Sequence, residues 1–159
     1  MRRLVIAAIA GGGIYAALGS AFAVDVDFNG VVNNNCSLTV NSNGTLDVSA
    51  DGGILGSEEG AGSAATIEVV SFGANTLTVG APNVTNAPGA YDNSGEVVEV
   101  RYVGAGGLAA VNQAYTSTSS NNSIGATSSS SVSIFARINN ANSFPTGNYT
   151  VRTTVTCSP

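Results

Sequence analysis

Residues 149–157 read YTVRTTVTC, and the alternation in these residues is the clearest indication of the class of fold. Its inward-facing members are Tyr149, Val151, Thr153, Val155 and Cys157. A period of two is typical of a β-strand with one buried face, whereas an amphipathic helix repeats at about 3.6 residues. The stretch therefore predicts a half-buried strand whose inward face carries a cysteine.

The same alternation recurs along most of the chain after residue 23, where no window has a convincing helical period. Short alternating runs separated by polar turns are typical of antiparallel all-β domains. The sequence therefore predicts an all-β fold, an antiparallel β-sandwich. The clearest other runs are Cys36, Leu38, Val40; Val98, Val100, Tyr102; and Val132, Ile134, Ala136, Ile138.

Three segments lack this clear period. Residues 108–115 are ambiguous between helix and strand, and the glycine-rich residues 51–62 are expected to form a long loop. Residues 116–130 are nearly all Ser, Asn, Thr and Gly, and they fit a disordered tip. The alternative for this last segment is a Ser/Thr ladder in an edge hairpin.

The chain has two cysteines, Cys36 and Cys157, which lie far apart in the sequence. Each shares the inward face of its predicted strand, as a bridge within or between sheets requires. In an exported chain a single pair of cysteines predicts one disulfide. The alternative is a pair of free or metal-binding thiols, but a closed zinc site needs further ligands and the chain has no histidine.

Residues 1–23 have the pattern of a cleaved signal peptide. Arg2 and Arg3 precede an apolar stretch that ends in Ala21-Phe22-Ala23, where small residues occupy the two positions that signal peptidase reads. The alternative is an uncleaved membrane anchor. We predict an exported protein of the periplasm, cell surface or extracellular space, with residues 24–159 forming a single β-sandwich domain that is not inserted in a membrane.

The charge of residues 24–159 is strongly acidic. All ten acidic residues lie there and only three arginines oppose them, which gives a net charge of −7. A nucleic-acid surface needs clustered Lys and Arg, so the sequence predicts no nucleic-acid partner.

The sequence offers little for catalysis, and it predicts that the protein is not an enzyme and has no cofactor or metal. A histidine-based triad is impossible without histidine. The loop acids Asp51, Glu58, Glu59 and Asp92 fit solvated side chains better than a calcium site, because no EF-hand spacing is present. A glycosidase pair drawn from Glu68, Glu96 and Glu99 is disfavoured because Glu68 and Glu99 alternate with core residues.

Two ends of the chain resemble known secreted domains. Residues 28–40, FNGVVNNNCSLTV, resemble the opening strand of chaperone–usher pilins. Residues 145–155, PTGNYTVRTTV, are similar to the last strand of those pilins and of spore-coat-U-like domains. The resemblance implies an incomplete immunoglobulin-like sandwich that a neighbour's strand completes. Pilins of this kind usually bridge the first strand to the next one, whereas here the second cysteine lies at the far end.

The resemblance implies a non-enzymatic structural subunit of a fimbrial fibre or coat, with a role such as cell adhesion, that assembles by β-strand complementation. Its partners would be neighbouring subunits and, where such a system exists, a periplasmic chaperone and an usher. Val24, Val26 and Phe28 are the candidate donor strand, and the alternative is that they pair within their own chain. The alternative function is a monomeric carbohydrate- or surface-binding module, in which Tyr91, Tyr102 and Tyr115 stack on sugars.

We predict that the exported protein begins at Val24 and carries one Cys36–Cys157 bridge. Its intact mass should match residues 24–159 less the two hydrogens lost on oxidation, and reduction should restore them. A mass that includes residues 1–23 would contradict the cleavage, and two alkylatable thiols before reduction would contradict the bridge.

Overall fold

The computed structural model describes residues 27–31 and 35–159. The expected signal peptide and the candidate donor residues Val24 and Val26 lie outside these ranges. The chain divides into two compact units, residues 1–30 and 31–159, and the fold below is that of the second unit.

The second unit is built from antiparallel β-strands, and the expected all-β fold is confirmed. Among the described residues no helix is long and apolar enough to span a membrane. The strands are β1 (Asn35–Ser42), β2 (Asp47–Val48), β3 (Ile54–Gly56), β4 (Ala65–Phe72), β5 (Asn75–Val79), β6 (Asn83–Asn86), β7 (Val97–Gly104), β8 (Asn112–Thr116), β9 (Ser120–Ile124), β10 (Thr127–Asn139), β11 (Thr150–Arg152) and β12 (Val155–Ser158).

The larger sheet has seven strands and is organised around β10. On one side, the first part of β10 pairs with β4, which pairs with β1, and the last part pairs with β3, which pairs with β2. On its other side β10 pairs with β7, which pairs with β8. The register places Val132 between Ile67 and Gly104, so the inward residues of neighbouring strands share one face.

The other layer is a ribbon that is interrupted once. β5 pairs with β12 and β9, and β6 pairs with β11. Between the two parts Gly80 N–H donates to Thr154 O at 2.8 Å, and the Thr153 hydroxyl donates to Gly80 O at 2.7 Å. Pro82 lies in this interruption, where its missing N–H is tolerated.

The core lies between the layers, which pack in a sandwich-like arrangement. Val69, Val100 and Val132 of the larger sheet are almost fully buried, as are Leu77 and Val79 of β5. Tyr102 of β7 is also fully buried, and its hydroxyl bonds to Ser120 at 2.7 Å and accepts from Asn122 at 2.5 Å. This tyrosine therefore joins the larger sheet to β9 by hydrogen bonds as well as by packing.

The structure corrects two expectations about loops. Residues 116–130 are not a disordered tip: they contain all of β9 and the start of β10. They do not form the hairpin of the alternative either, since β9 pairs with β5, and β10 pairs with β3, β4 and β7. The inward positions Ser120 and Asn122 are polar because they bind the Tyr102 hydroxyl, which removes the apolar period. The expected loop 51–62 contains the short strand β3, and the ambiguous residues 108–115 contain the end of a 3-10 turn and most of β8.

Val69→Ala should reduce the free energy of unfolding by about 2–3 kcal/mol, because it removes buried methyl groups and leaves a cavity. Val103→Ala is the matched control, since Val103 lies in a strand of the same sheet but is 44% exposed. Its effect should stay within about 0.5 kcal/mol. Equal effects of the two variants in a urea titration would contradict the inward and outward faces described here.

Candidate functional site

Several strands pair on one side alone among the described residues, and two of the edges left open in this way lie on either side of the disulfide. β1 pairs with β4 on one side alone, and β11 and β12 pair with β6 and β5 on one side alone. Because strand edges carry unpaired N–H and C=O groups, these two edges can accept a further strand.

The disulfide joins these two edges, and the expected bridge between Cys36 and Cys157 is confirmed. Cys36 lies near the start of β1 and Cys157 in β12, with a Cα–Cα distance of 5.9 Å and a sequence separation of 121. A loop of this length corresponds to roughly 5 kcal/mol of stabilisation in the chain-entropy treatment. The two sheets are therefore held together covalently at one end of the facing edges.

An apolar groove lies between the two edges beyond the bridge. Two adjoining cavities of about 410 and 630 Å³ occupy it, and both are lined by Ala65 and Ile134 of the larger sheet. The other residues that line both cavities are Gly44, Thr150, Val151 and Thr153. We call these cavities together the edge groove.

The walls of the edge groove are inward-facing side chains that no neighbouring strand covers. Leu38 and Val40 come from β1, and Val151 and Val155 come from β11 and β12. Val40 is 64% exposed although it continues the inward alternation of β1. The groove therefore leaves apolar surface exposed at positions that the sequence pattern assigns to the core.

Gly44 limits the edge groove beyond the end of β1. A Cβ at this position would lie 2.8 Å from the Ser63 carbonyl oxygen and 2.9 Å from the Ala65 backbone nitrogen. Thr45 and Ser63 exchange two backbone hydrogen bonds of 3.0 Å here. Only glycine permits this close approach, so Gly44 fixes the groove wall on this side.

Arg152 is the one charged residue that lines the edge groove. It lies on the outward, exposed face of β11, next to the inward-facing Val151. Arg101 and Arg137 form ion pairs with Glu58 and Glu99, whereas Arg152 makes no ion pair within the described part of the chain. The groove rim therefore carries a positive charge that is not neutralised there.

Of the sequence-predicted site residues, the structure brings together the two cysteines. Val24 and Val26 lie outside the described residues. Phe28 lies in a segment without strand or helix, and its side chain is 94% exposed. The donor-strand role of these three residues therefore stays a prediction.

A cluster of charged and aromatic side chains on the outer face of the larger sheet was not foreseen. The Arg101 guanidinium lies 3.9 Å from the centre of the Phe135 ring, and that of Arg137 lies 3.9 Å from the centre of the Tyr115 ring. Glu58 accepts hydrogen bonds from Arg101 and, at 2.6 Å, from the Tyr115 hydroxyl. Phe135 and Arg101 are cross-strand neighbours, so this contact could be predicted once the register of β7 and β10 is known. The sequence alone does not give that register.

The cluster shifts the pKa values of its acid and its phenol. The hydrogen bond from Arg101 lowers the pKa of Glu58 to about 2, because it stabilises the carboxylate. Burial, followed by the hydrogen bond to Glu58, raises the pKa of Tyr115 to about 12. Glu58 thus forms an ionic contact between its loop and the sheet, while its side chain stays 37% exposed to solvent.

The tyrosines of the alternative sugar-binding hypothesis are all engaged in internal contacts. Tyr102 is in the core, and Arg137 lies over the ring of Tyr115. Tyr91 stacks on Phe144 with ring centres 6.0 Å apart and meets Tyr149 edge-on at 5.3 Å. These rings serve packing within the chain.

The acids considered for a glycosidase pair have separate partners. Glu68 accepts from Ser129 at 2.6 Å, Glu96 accepts from Tyr91 at 2.7 Å, and Glu99 pairs with Arg137 at 2.8 Å. Within residues 27–31 and 35–159, no group of three or more His, Cys, Asp or Glu side chains is arranged to hold a metal ion.

Comparisons with protein-family models, with curated proteins and with solved structures found no match.

Glu58→Gln should remove an acid-sensitive part of the stability. The folded-state pKa of Glu58 is about 2, below its ordinary value of 4.5, so this contribution is complete above about pH 4.5 and is lost as the pH falls toward about 2. We expect the substitution to lower the free energy of unfolding at about pH 6 by less than about 1 kcal/mol, since both side chains of the ion pair are partly exposed. The measurement is the free energy of unfolding in urea at about pH 6 and about pH 3.

The matched control is Glu59→Gln, which removes a charge from the same loop but no ion pair of the described residues. It should leave the difference in stability between the two pH values unchanged. A Glu58→Gln variant with the wild-type pH dependence would show that the Arg101 contact does not stabilise the folded state.

Proposed function

We propose that this chain is a non-enzymatic structural subunit of a bacterial surface fibre or coat, a pilin-like immunoglobulin-type sandwich that assembles by β-strand complementation. The observation that carries the proposal is the edge groove, an apolar cleft between two unpaired strand edges. The resemblance of residues 28–40 and 145–155 to pilin end strands supports it independently of the groove.

A strand bound in the edge groove would provide both the backbone hydrogen bonds and the side-chain burial that the groove lacks. Its backbone would pair with the free edges of β1 and of β11 and β12. Its alternate side chains would enter the cavities lined by Leu38, Ile134 and Val151. Strand addition of this type gains affinity from main-chain hydrogen bonds and specificity from side-chain pockets.

The occupant we assign is the segment Val24–Phe28 of a second copy. Val24, Val26 and Phe28 alternate with acidic residues, so they share one face of an extended strand. Five extended residues span roughly 17 Å. Removal of residues 1–23 would place this segment at the free N-terminus, where it can reach a neighbouring subunit.

The compartment and the assembly partners follow from the same proposal. The disulfide is consistent with an oxidising, exported compartment. A subunit with an exposed apolar groove is prone to aggregate before assembly. A periplasmic chaperone would cover the groove during this time, and an usher would be the site where a neighbouring subunit replaces the chaperone. Neighbouring copies of this chain are the final partners.

Two variants with complementary defects test the proposal. Deletion of residues 24–29 removes the donor and keeps the groove, whereas Val151→Arg blocks the groove and keeps the donor. Each variant alone should be monomeric by sizing chromatography with light scattering, while the unaltered mature protein forms multimers. An equimolar mixture should form a one-to-one pair, because each chain supplies what the other lacks.

The control for the blocking variant is Val103→Arg, which adds the same side chain on the outer face of the larger sheet and should leave multimers intact. An unaltered mature protein that stays monomeric would contradict strand exchange and favour the binding-module alternative. Multimers that survive both the deletion and the block would place the subunit contact elsewhere.

A further inference from the structure

We propose that Arg152 selects the strand that enters the edge groove by pairing with acidic side chains on the outward face of that strand. The inference rests on the proposed function and adds the chemistry of the partner: an alternating segment whose inward residues are apolar and whose outward residues are acidic. The segment Val24–Phe28 of a second copy has this chemistry, with Asp25 and Asp27 at the outward positions.

The first argument is the position of Arg152 relative to the free edge. Val151 points into the groove, and Arg152 follows it on the opposite face of β11, with its side chain exposed. Side chains of adjacent strands that share a face are cross-strand neighbours, with Cβ atoms about 4.5–5.5 Å apart when opposite and about 7–8 Å apart on the diagonal. A donor that points Val24, Val26 and Phe28 into the groove presents its aspartates on the same face as Arg152.

The second argument is charge. Residues 24–159 carry ten acids and three arginines, and two of those arginines are paired with Glu58 and Glu99. Arg152 is the remaining one, and it makes no ion pair among the described residues although acids are in excess. Two copies with a charge of −7 repel each other, so a positive rim where an acidic segment docks lowers that repulsion locally.

The third argument is register. Apolar alternation alone leaves a donor free to shift by two residues, because such a shift keeps the same face inward. A charge on the rim distinguishes these positions, since a shift moves the aspartates relative to Arg152. The contact therefore acts on register and on partner choice, and partner choice is measured as the difference in affinity between donors of opposite charge.

The test is a charge swap in the complementary pair described above. The acceptor is the chain lacking residues 24–29, with and without Arg152→Glu. The donor is the Val151→Arg chain, with and without Asp25→Lys and Asp27→Lys together. The dissociation constant of each of the four mixtures is measured by titration calorimetry at low and high salt.

Each reversal alone should weaken the pair by about 5–10-fold, because an opposite-charge cross-strand contact becomes a like-charge one. The doubly reversed mixture should recover most of this loss, and the differences should shrink at high salt because the charges are exposed. An acceptor with Arg152→Gln should have a dissociation constant between those of the Arg152 and Arg152→Glu acceptors. Circular dichroism and intact mass confirm that each variant is folded and bridged.

Recovery of affinity by the reversed donor distinguishes a direct charge contact between the chains from damage to the acceptor's structure. Weakening by Arg152→Glu that the reversed donor does not recover would overturn the assignment, and so would four equal dissociation constants, with strand complementation still standing in both cases. Failure of the unreversed pair to form would overturn strand complementation, and the role of Arg152 with it.

Discussion

The Cys36–Cys157 bridge is the constraint on which the arrangement of the two layers depends. It connects the first and last strands, which lie in different sheets and have no shared ladder of hydrogen bonds. The layers are also held by packing and by hydrogen bonds: Tyr102 contacts β9, and the Asn75 amide of β5 donates to Ser71 of β4 at 2.8 Å. Because the bridge fixes the facing edges at one end only, the same covalent link that stabilises the sandwich also defines where the edge groove begins.

The three arginines of residues 24–159 lie in two different environments. Arg101 and Arg137 lie over the rings of Phe135 and Tyr115, and each holds an acid against the outer face of the larger sheet. Their ion pairs fasten a loop and a strand within the chain. Arg152 is the exception, and its place on the groove rim is what gives it a proposed role between chains.

Much of the fold could be predicted from the sequence, because alternation reports which residues of a strand face inward. It placed Cys36 and Cys157 on inward faces and so predicted the bridge. It failed at β9, where Ser120 and Asn122 face inward but bind the hydroxyl of Tyr102, a contact distant in sequence. It also could not reveal the groove, which depends on which edges lack partners, and so on topology, which no local pattern encodes.

The edge groove also explains why inward alternation and burial disagree in β1. Val40 has the inward position of a core residue and yet is mostly exposed, while Val69 in the adjacent strand β4 is fully buried. Exposed apolar side chains also occur away from the groove, at Phe72, Val97 and Val103, so exposure alone does not identify a docking surface. Val40 differs from these because it lies beside the unpaired edge of β1 and lines the edge groove, at a position that the alternation assigns to the core. Under the proposal of strand complementation, one donor strand would cover Val40, pair with the free edges and lie next to Arg152.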